Sequence, residues 1–268
     1  MEKCPNCSAM LYGKYCHACG QKVPEPGDRT ILHFIYQFFG SAFFLENNFL
    51  KNLWILIRKP GQIPLDFIEG RRKRWMPPFS LFLLINLFYF LYTPLTDLNL
   101  RLNEQLNQFH HSNLARHLVN HRLNRRGVTL ETYSLEYNKK STSYANSLII
   151  LHLPVFAGFL ALIFIRKKYF FSDHFIFGLY FLAFVLLMAL IQSAFIYLLI
   201  GSFGRAIFEA TGSALLIFIL LYLFLSLRKT YSLNNGMALI STLPVFIAFI
   251  ISHFLYRTIL FLIVFCVT

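Results

Sequence analysis

The sequence predicts an all-α polytopic membrane protein of about five transmembrane helices, with a small N-terminal Cys4 zinc ribbon and an amphipathic interfacial helix. Three observations predict this. Of 268 residues, 56% are hydrophobic and only 14% charged, whereas a soluble domain carries about a quarter charged residues. The apolar residues gather in runs of about 20, the length that crosses a bilayer. Ahead of those runs stand four cysteines in two CxxC pairs.

The formal charge of +13 is not spread evenly. Its cations sit beside the apolar runs, where they meet anionic headgroups and fix topology. That distribution points to the lipid bilayer as a partner, and no nucleic-acid partner is expected. A hydrophilic segment comes first, without the charged, apolar and small-residue sequence of a secretory leader. The first apolar run is therefore expected to act as an uncleaved anchor.

In residues 1–21, Cys4, Cys7, Cys16 and Cys19 form two CxxC knuckles eight residues apart. Each knuckle offers two thiolates to one metal, and two knuckles complete a tetrahedral shell, so zinc is the expected cofactor. Gly13 and Gly20 fit the turns. His17 falls inside the second knuckle but is read as surface, because four thiolates already fill the shell. Such a closed site is structural rather than catalytic. A ribbon this short draws most of its folding free energy from the metal, and it suits the reducing cytoplasm.

Residues 22–30 read as a linker that contains Pro and Gly, with Asp28 or Thr30 available to cap the next helix. Residues 31–78 read as interfacial helices followed by a basic juxtamembrane hinge. Ile31, Phe34, Phe38, Leu45, Phe49, Leu53 and Leu56 recur at helical steps, while Gln37, Glu46, Asn47, Asn48 and Lys51 interrupt any span. Helices in the interface are expected; a re-entrant hairpin turning near Glu46 is the alternative. Arg58 and Lys59 then precede Pro60-Gly61, and Arg71, Arg72, Lys73 and Arg74 precede Trp75 and Pro77-Pro78. These six cations are assigned to the membrane surface and its headgroups.

A ribbon ending in CGQ, an RKPG turn, a GRR block and an aromatic–Pro–Phe entry to an apolar helix occur here in that order. Together they resemble an uncharacterised bacterial membrane family, domain of unknown function 3667. The matching positions are Cys4, Cys7, Cys16, Cys19, Gly20, Gln21, Pro60, Gly61, Gly70, Arg71, Arg72, Trp75, Pro78 and Phe79. Trp75 stands where tyrosine is expected, and Arg71 where lysine is expected. The resemblance covers roughly the first third of the chain. It implies a bacterial inner-membrane protein with a zinc-ribbon head and no established activity.

The expected spans are residues 79–95, 146–165, 175–200, 210–227 and 237–256, the last running into an apolar tail at 258–267. Residues 96–145 are an expected external loop that starts as an amphipathic helix. Within it, 128–137 has strand-like content, and His110, His117 and His121 share a face read as solvated. Basic residues at 58–74, 166–168 and 228–229 fall on one side if the N-terminus is cytoplasmic, which puts the C-terminus in the periplasm.

Polar groups within the spans are few. Asn86, Gln192 and Ser193 are expected to bond between helices. His152, His253 and Arg257 could form a polar pocket toward the outer surface, while Asp173 is read as a helix cap. No catalytic pattern such as GxSxG, HExxH or a Walker loop stands in a suitable context, so an enzyme is not expected. Two functions stay open. One is a membrane scaffold or accessory protein whose cytoplasmic ribbon contacts a protein partner. The other is a carrier or lipid-handling protein that uses the polar pocket.

Overall fold

The computed structural model describes residues 2–23, 49–92, 101–107, 111–200 and 205–268, and side chains throughout these except at 146, 147, 199, 200 and 205–210. The described residues are helical apart from the cysteine head and the turns. Ten α-helices are described: α1 (Phe49–Arg58), α2 (Gln62–Ile68), α3 (Pro78–Tyr92), α4 (Leu102–Asn107), α5 (Ser112–Arg126), α6 (Leu130–Leu148), α7 (His152–Ile163), α8 (Phe171–Ile200), α9 (Arg205–Thr230) and α10 (Asn235–Val267). The chain divides into two compact units, Met1–Tyr92 with Phe156–Ala248, and Thr93–Val155 with Phe249–Thr268.

Among the described residues, three helices are long and apolar enough to cross a membrane: Phe171–Leu198, Thr211–Thr230 and Asn235–Val267. A fourth crossing results if Leu130–Ala145 and Ile149–Ile163, bent by 60° at their junction, act as one. Five full spans do not appear among the described residues. The first expected span is a 15-residue helix as far as Tyr92, short of the roughly 20 residues a crossing needs. Residues 93–95 of that expected span, the linker caps at 28 and 30, and the interfacial segment 31–48 lie outside the described residues.

In the first unit α8 is the central helix. The core of its apolar span is 72% buried, against 22% for α9 and 28% for α10. A helix apolar on every side suits such a position. α3 packs along it through Phe79 and Phe175, whose rings lie 5.7 Å apart. On another side, Phe184 stacks on Tyr222 of α9 at 3.4 Å. Between α8 and α9, Gln192 donates to the Thr211 hydroxyl at 2.7 Å, the interhelical role expected of it. Asp173 accepts from the Phe170 amide at 2.9 Å and so caps the start of α8.

The hinge is wedged against these helices. Tyr180 donates to the carbonyl of Met76 at 2.9 Å, and Tyr222 to that of Leu56 at 2.8 Å. Asn52, fully buried, accepts from the Met76 amide at 3.1 Å. Gly61 joins α1 to α2 at φ +75°, and a Cβ there would stand 2.6 Å from the Ser226 carbonyl oxygen. Glycine thus supplies both the left-handed turn and the close approach of α9.

One expectation in the second unit is corrected. Where 128–137 has strand-like content, residues 130–148 form the helix α6, and Thr129 caps it by accepting from the Thr132 amide. Tyr133, Tyr137, Ser141, Ala145 and Ile149 are all buried, a four-residue step that belongs to a helix rather than a strand. The apolar tail continues the last helix, so α10 runs unbroken for 33 residues through Pro244. At 1.5 Å per residue it is about 50 Å long, well beyond the ~30 Å hydrocarbon core. Leu102, Gln105 and Leu106 are buried on α4.

Gly61→Ala is expected to destabilise the protein by roughly 2–4 kcal/mol, through left-handed strain and the clash with α9. Thermal unfolding of the purified protein in detergent checks this.

Candidate metal centre and basic hinge

The cysteine head is built from one local pattern used twice, offset by 12 residues. Ser8 donates its backbone N–H to the Cys4 carbonyl, and Gly20 does so to Cys16, both at 2.8 Å. The Cys4 amide donates to Ala9, and that of Cys16 to Gln21. An isolated bridge closes each copy, Lys3 with Met10 and Tyr15 with Lys22. The residue after each second cysteine takes positive φ, +64° at Ser8 and +69° at Gly20. Gly20 meets the expectation; in the first copy the residue is Ser8, and Gly13 is not left-handed.

The two copies bring four sulfurs together. All four Sγ atoms lie within 4.8 Å of one another. Cys4 and Cys19 are 3.7 Å apart, and Cys7 and Cys16 3.5 Å. These are not bonded disulfide distances, which are about 2.05 Å. They approach the edge of about 3.8 Å that a tetrahedron with ~2.3 Å metal–sulfur bonds would have. The donor set therefore fits a metal ion.

Two of the thiols shift in opposite directions. A hydrogen bond from the Gln21 backbone draws Cys19 down to about 6, with Asn6 assisting. At Cys7 the Ala9 backbone also acts downward, but burial and the neighbouring sulfurs outweigh it and push the thiol up to about 12. Four thiolates at this spacing repel one another, and a bound cation removes that penalty.

Gln21 then connects this centre to the hinge. Its side chain is buried against the loop at 70–75. Nε2 donates to the Gly70 carbonyl at 2.6 Å, while Oε1 accepts from the amides of Arg72 at 3.0 Å and Lys73 at 3.1 Å. Arg74 adds a bond from Nη2 to the Asn6 carbonyl at 3.0 Å. The residue whose backbone tunes Cys19 is thus the one whose side chain holds the basic loop.

From the other side, the loop is held by Asp66, only 2% exposed. Its Oδ1 accepts from Arg71 Nε at 2.8 Å, Arg71 Nη2 at 2.6 Å and Gln62 at 2.9 Å. Its Oδ2 accepts from the Trp75 indole at 2.9 Å. Arg71 also pairs with Glu69. The six hinge cations therefore differ in their surroundings. Arg71 is engaged by carboxylates, and Arg72 lies over the Phe67 ring at 5.7 Å. Arg58, Lys59, Lys73 and Arg74 are exposed.

Two members of the expected polar pocket, His152 at the start of α7 and His253 on α10, lie together in the second unit. The rings of His152 and His253 meet edge to face at 5.8 Å, and Arg257, one turn beyond His253, is buried. Ser252 was missed: its hydroxyl lies 2.6 Å from His152 Nε2 and donates to the Phe249 carbonyl at 2.8 Å. His117 and His121 are exposed on α5, and His110 lies outside the described residues. Among the described residues, the four cysteines are the only His, Cys or carboxylate group placed to hold a metal.

A family model described as "Protein of unknown function (DUF3667)" matches residues 46–90. The match takes in the hinge and α3 but not the cysteine head. No curated protein and no solved structure matches the chain.

Gln21→Ala is expected to leave Gly70, Arg72 and Lys73 without their partner, at a cost of about 2 kcal/mol. Local opening should then speed exchange of the Arg72 and Lys73 amides roughly 30-fold. Stripping metal with a chelator at neutral pH should expose the same amides in the wild type. Acidification should do likewise, since ligand thiolates bind protons as the metal leaves. Hydrogen exchange read by mass spectrometry checks all three.

Proposed function

Taking the chain as a member of the uncharacterised family whose model spans its hinge, we propose that it is an integral membrane scaffold or accessory protein with a zinc-bearing head that docks a protein partner. The observation that carries this reading is the Gln21 contact. A free ribbon would only tether a partner, whereas this one is joined to the membrane unit by three bonds from a single buried amide. Its outward face carries Tyr12, 75% exposed, and Tyr15, 65% exposed. Exposed aromatics on a rigid platform are what protein interfaces use as anchors.

Zinc is the metal proposed, because tetrahedral all-thiolate sites select it and it brings no redox chemistry. When bound, it would organise Cys4, Cys7, Cys16 and Cys19 and fix the orientation of the head. The proposed location is a bacterial inner membrane, with the head cytoplasmic and the C-terminus periplasmic. In support, the segments carrying cations at 58–59, 166–168 and 228–229 converge: Thr230 donates to the Gly61 carbonyl and Tyr169 to the Thr230 carbonyl, both at 3.3 Å. One end of the first unit thus gathers the positive charge that marks a cytoplasmic face. The carrier reading has less support, because His152 is bonded to Ser252 and Phe249 on its neighbouring helix.

The test is affinity purification from native membranes of wild type and a Tyr12→Ala/Tyr15→Ala variant, with metal content measured on both. One zinc per chain in each, and a stoichiometric partner held only by the wild type, is the expected result. No stoichiometric protein, with one lipid class enriched in both samples, would overturn the scaffold reading in favour of the carrier.

A further inference from the structure

We propose that the end of the first unit where α1, α9 and the turn after α7 meet is a binding site for the phosphodiester of an anionic phospholipid. The inference rests on the reading that this end lies at headgroup level. Its centre is Gly61, where the turn after α1 lies directly on α9: a Cβ would be 2.9 Å from the Lys229 Cβ. That contact sets Arg58 and Lys59 beside Arg228 and Lys229. Tyr169, through Thr230, brings Arg166 and Lys168 to the same end.

These six cations are exposed, and among the described residues none of them pairs with a carboxylate. Two acidic groups of the first unit are otherwise engaged, Glu69 with Arg71 and Asp173 with the Phe170 amide. The C-termini of α1 and α9 also end here, each contributing about half a negative charge. Four cations on those two helix ends exceed that amount, so the site stays positive and attracts an anion.

The apolar border makes that anion an amphiphile. Arg58 lies over the Trp54 ring at 4.6 Å. Trp54 is 56% exposed, and Leu50, one turn earlier, 77%. On α7 and its following turn, Leu162 and Ile165 are exposed immediately before Arg166. A soluble phosphate would use the cations and leave these surfaces in water. A phospholipid uses both, with its phosphate on the guanidinium and ammonium groups and its acyl chains along the apolar flanks.

The experiment is thermal unfolding of the purified full-length protein in a neutral detergent. Phosphatidylglycerol, phosphatidylcholine or inorganic phosphate is added in turn. Phosphatidylglycerol alone should raise the midpoint by about 3–6 °C. The rise should vanish in Arg58→Gln/Lys229→Gln and persist in Arg125→Gln/Lys139→Gln, which removes the same charge from the second unit. If the first pair fails to fold by circular dichroism, Lys59→Gln/Arg228→Gln takes its place. An equal rise with phosphatidylcholine or inorganic phosphate would overturn the proposal. So would a rise that survives the site variant or disappears in the control. The assay contains no other protein, so its failure leaves the partner test standing.

Discussion

Buried beside the basic loop, the Asp66 carboxylate accepts from Arg71, Gln62 and Trp75, and the surrounding structure depends on that arrangement. An ionised carboxylate out of water is costly unless charge and hydrogen bonds compensate it. Here one guanidinium supplies the charge, and an indole and an amide supply the rest. The outcome is a loop whose backbone is presented in one conformation. Gln21 reads that conformation with three bonds. Removing the carboxylate would leave Arg71 with Glu69 alone, and the Gln21 contact without a fixed surface.

This arrangement sorts the positive charge of the hinge by role. Arg71 serves the fold and Arg74 reaches the head through Asn6, whereas Arg58 and Lys59 face outward at the end of α1. Assigning all six cations to headgroups on composition alone misses that division, because a basic run looks the same whether or not a buried aspartate lies five residues upstream. Gly61 shows the same dependence on context. Its RKPG turn reads as a helix stop, but its closeness to Ser226 and Lys229 is a tertiary fact, and it joins segments more than 160 residues apart.

Much of the head was legible, because metal ligation imposes spacing: Cys4, Cys7, Cys16 and Cys19 are brought within 4.8 Å of one another, as two CxxC pairs imply. Gln21 stood at the end of the CGQ motif without a role, since nothing in a sequence says which backbone a glutamine will meet. α6 was misread because Val128, Thr129, Thr132 and Tyr133 carry strand-like side chains. The four-residue step of Tyr133, Tyr137, Ser141 and Ala145 was the better signal, obscured because two of those residues are small. Hydropathy marks apolar runs without marking where they bend: among the described residues three helices are long and apolar enough to cross, and the run at 146–165 is bent at its start.

The central claim, that head and hinge form one body, is tested most directly by pulsed electron–electron double resonance. Spin labels would be placed at Tyr12 and Lys229 through a non-cysteine amino acid, which leaves the metal ligands intact. A single narrow distance distribution in the metal-loaded protein, broadened in Gln21→Ala, is the predicted result. A broad distribution in the wild type, or one that Gln21→Ala leaves unchanged, would contradict the account.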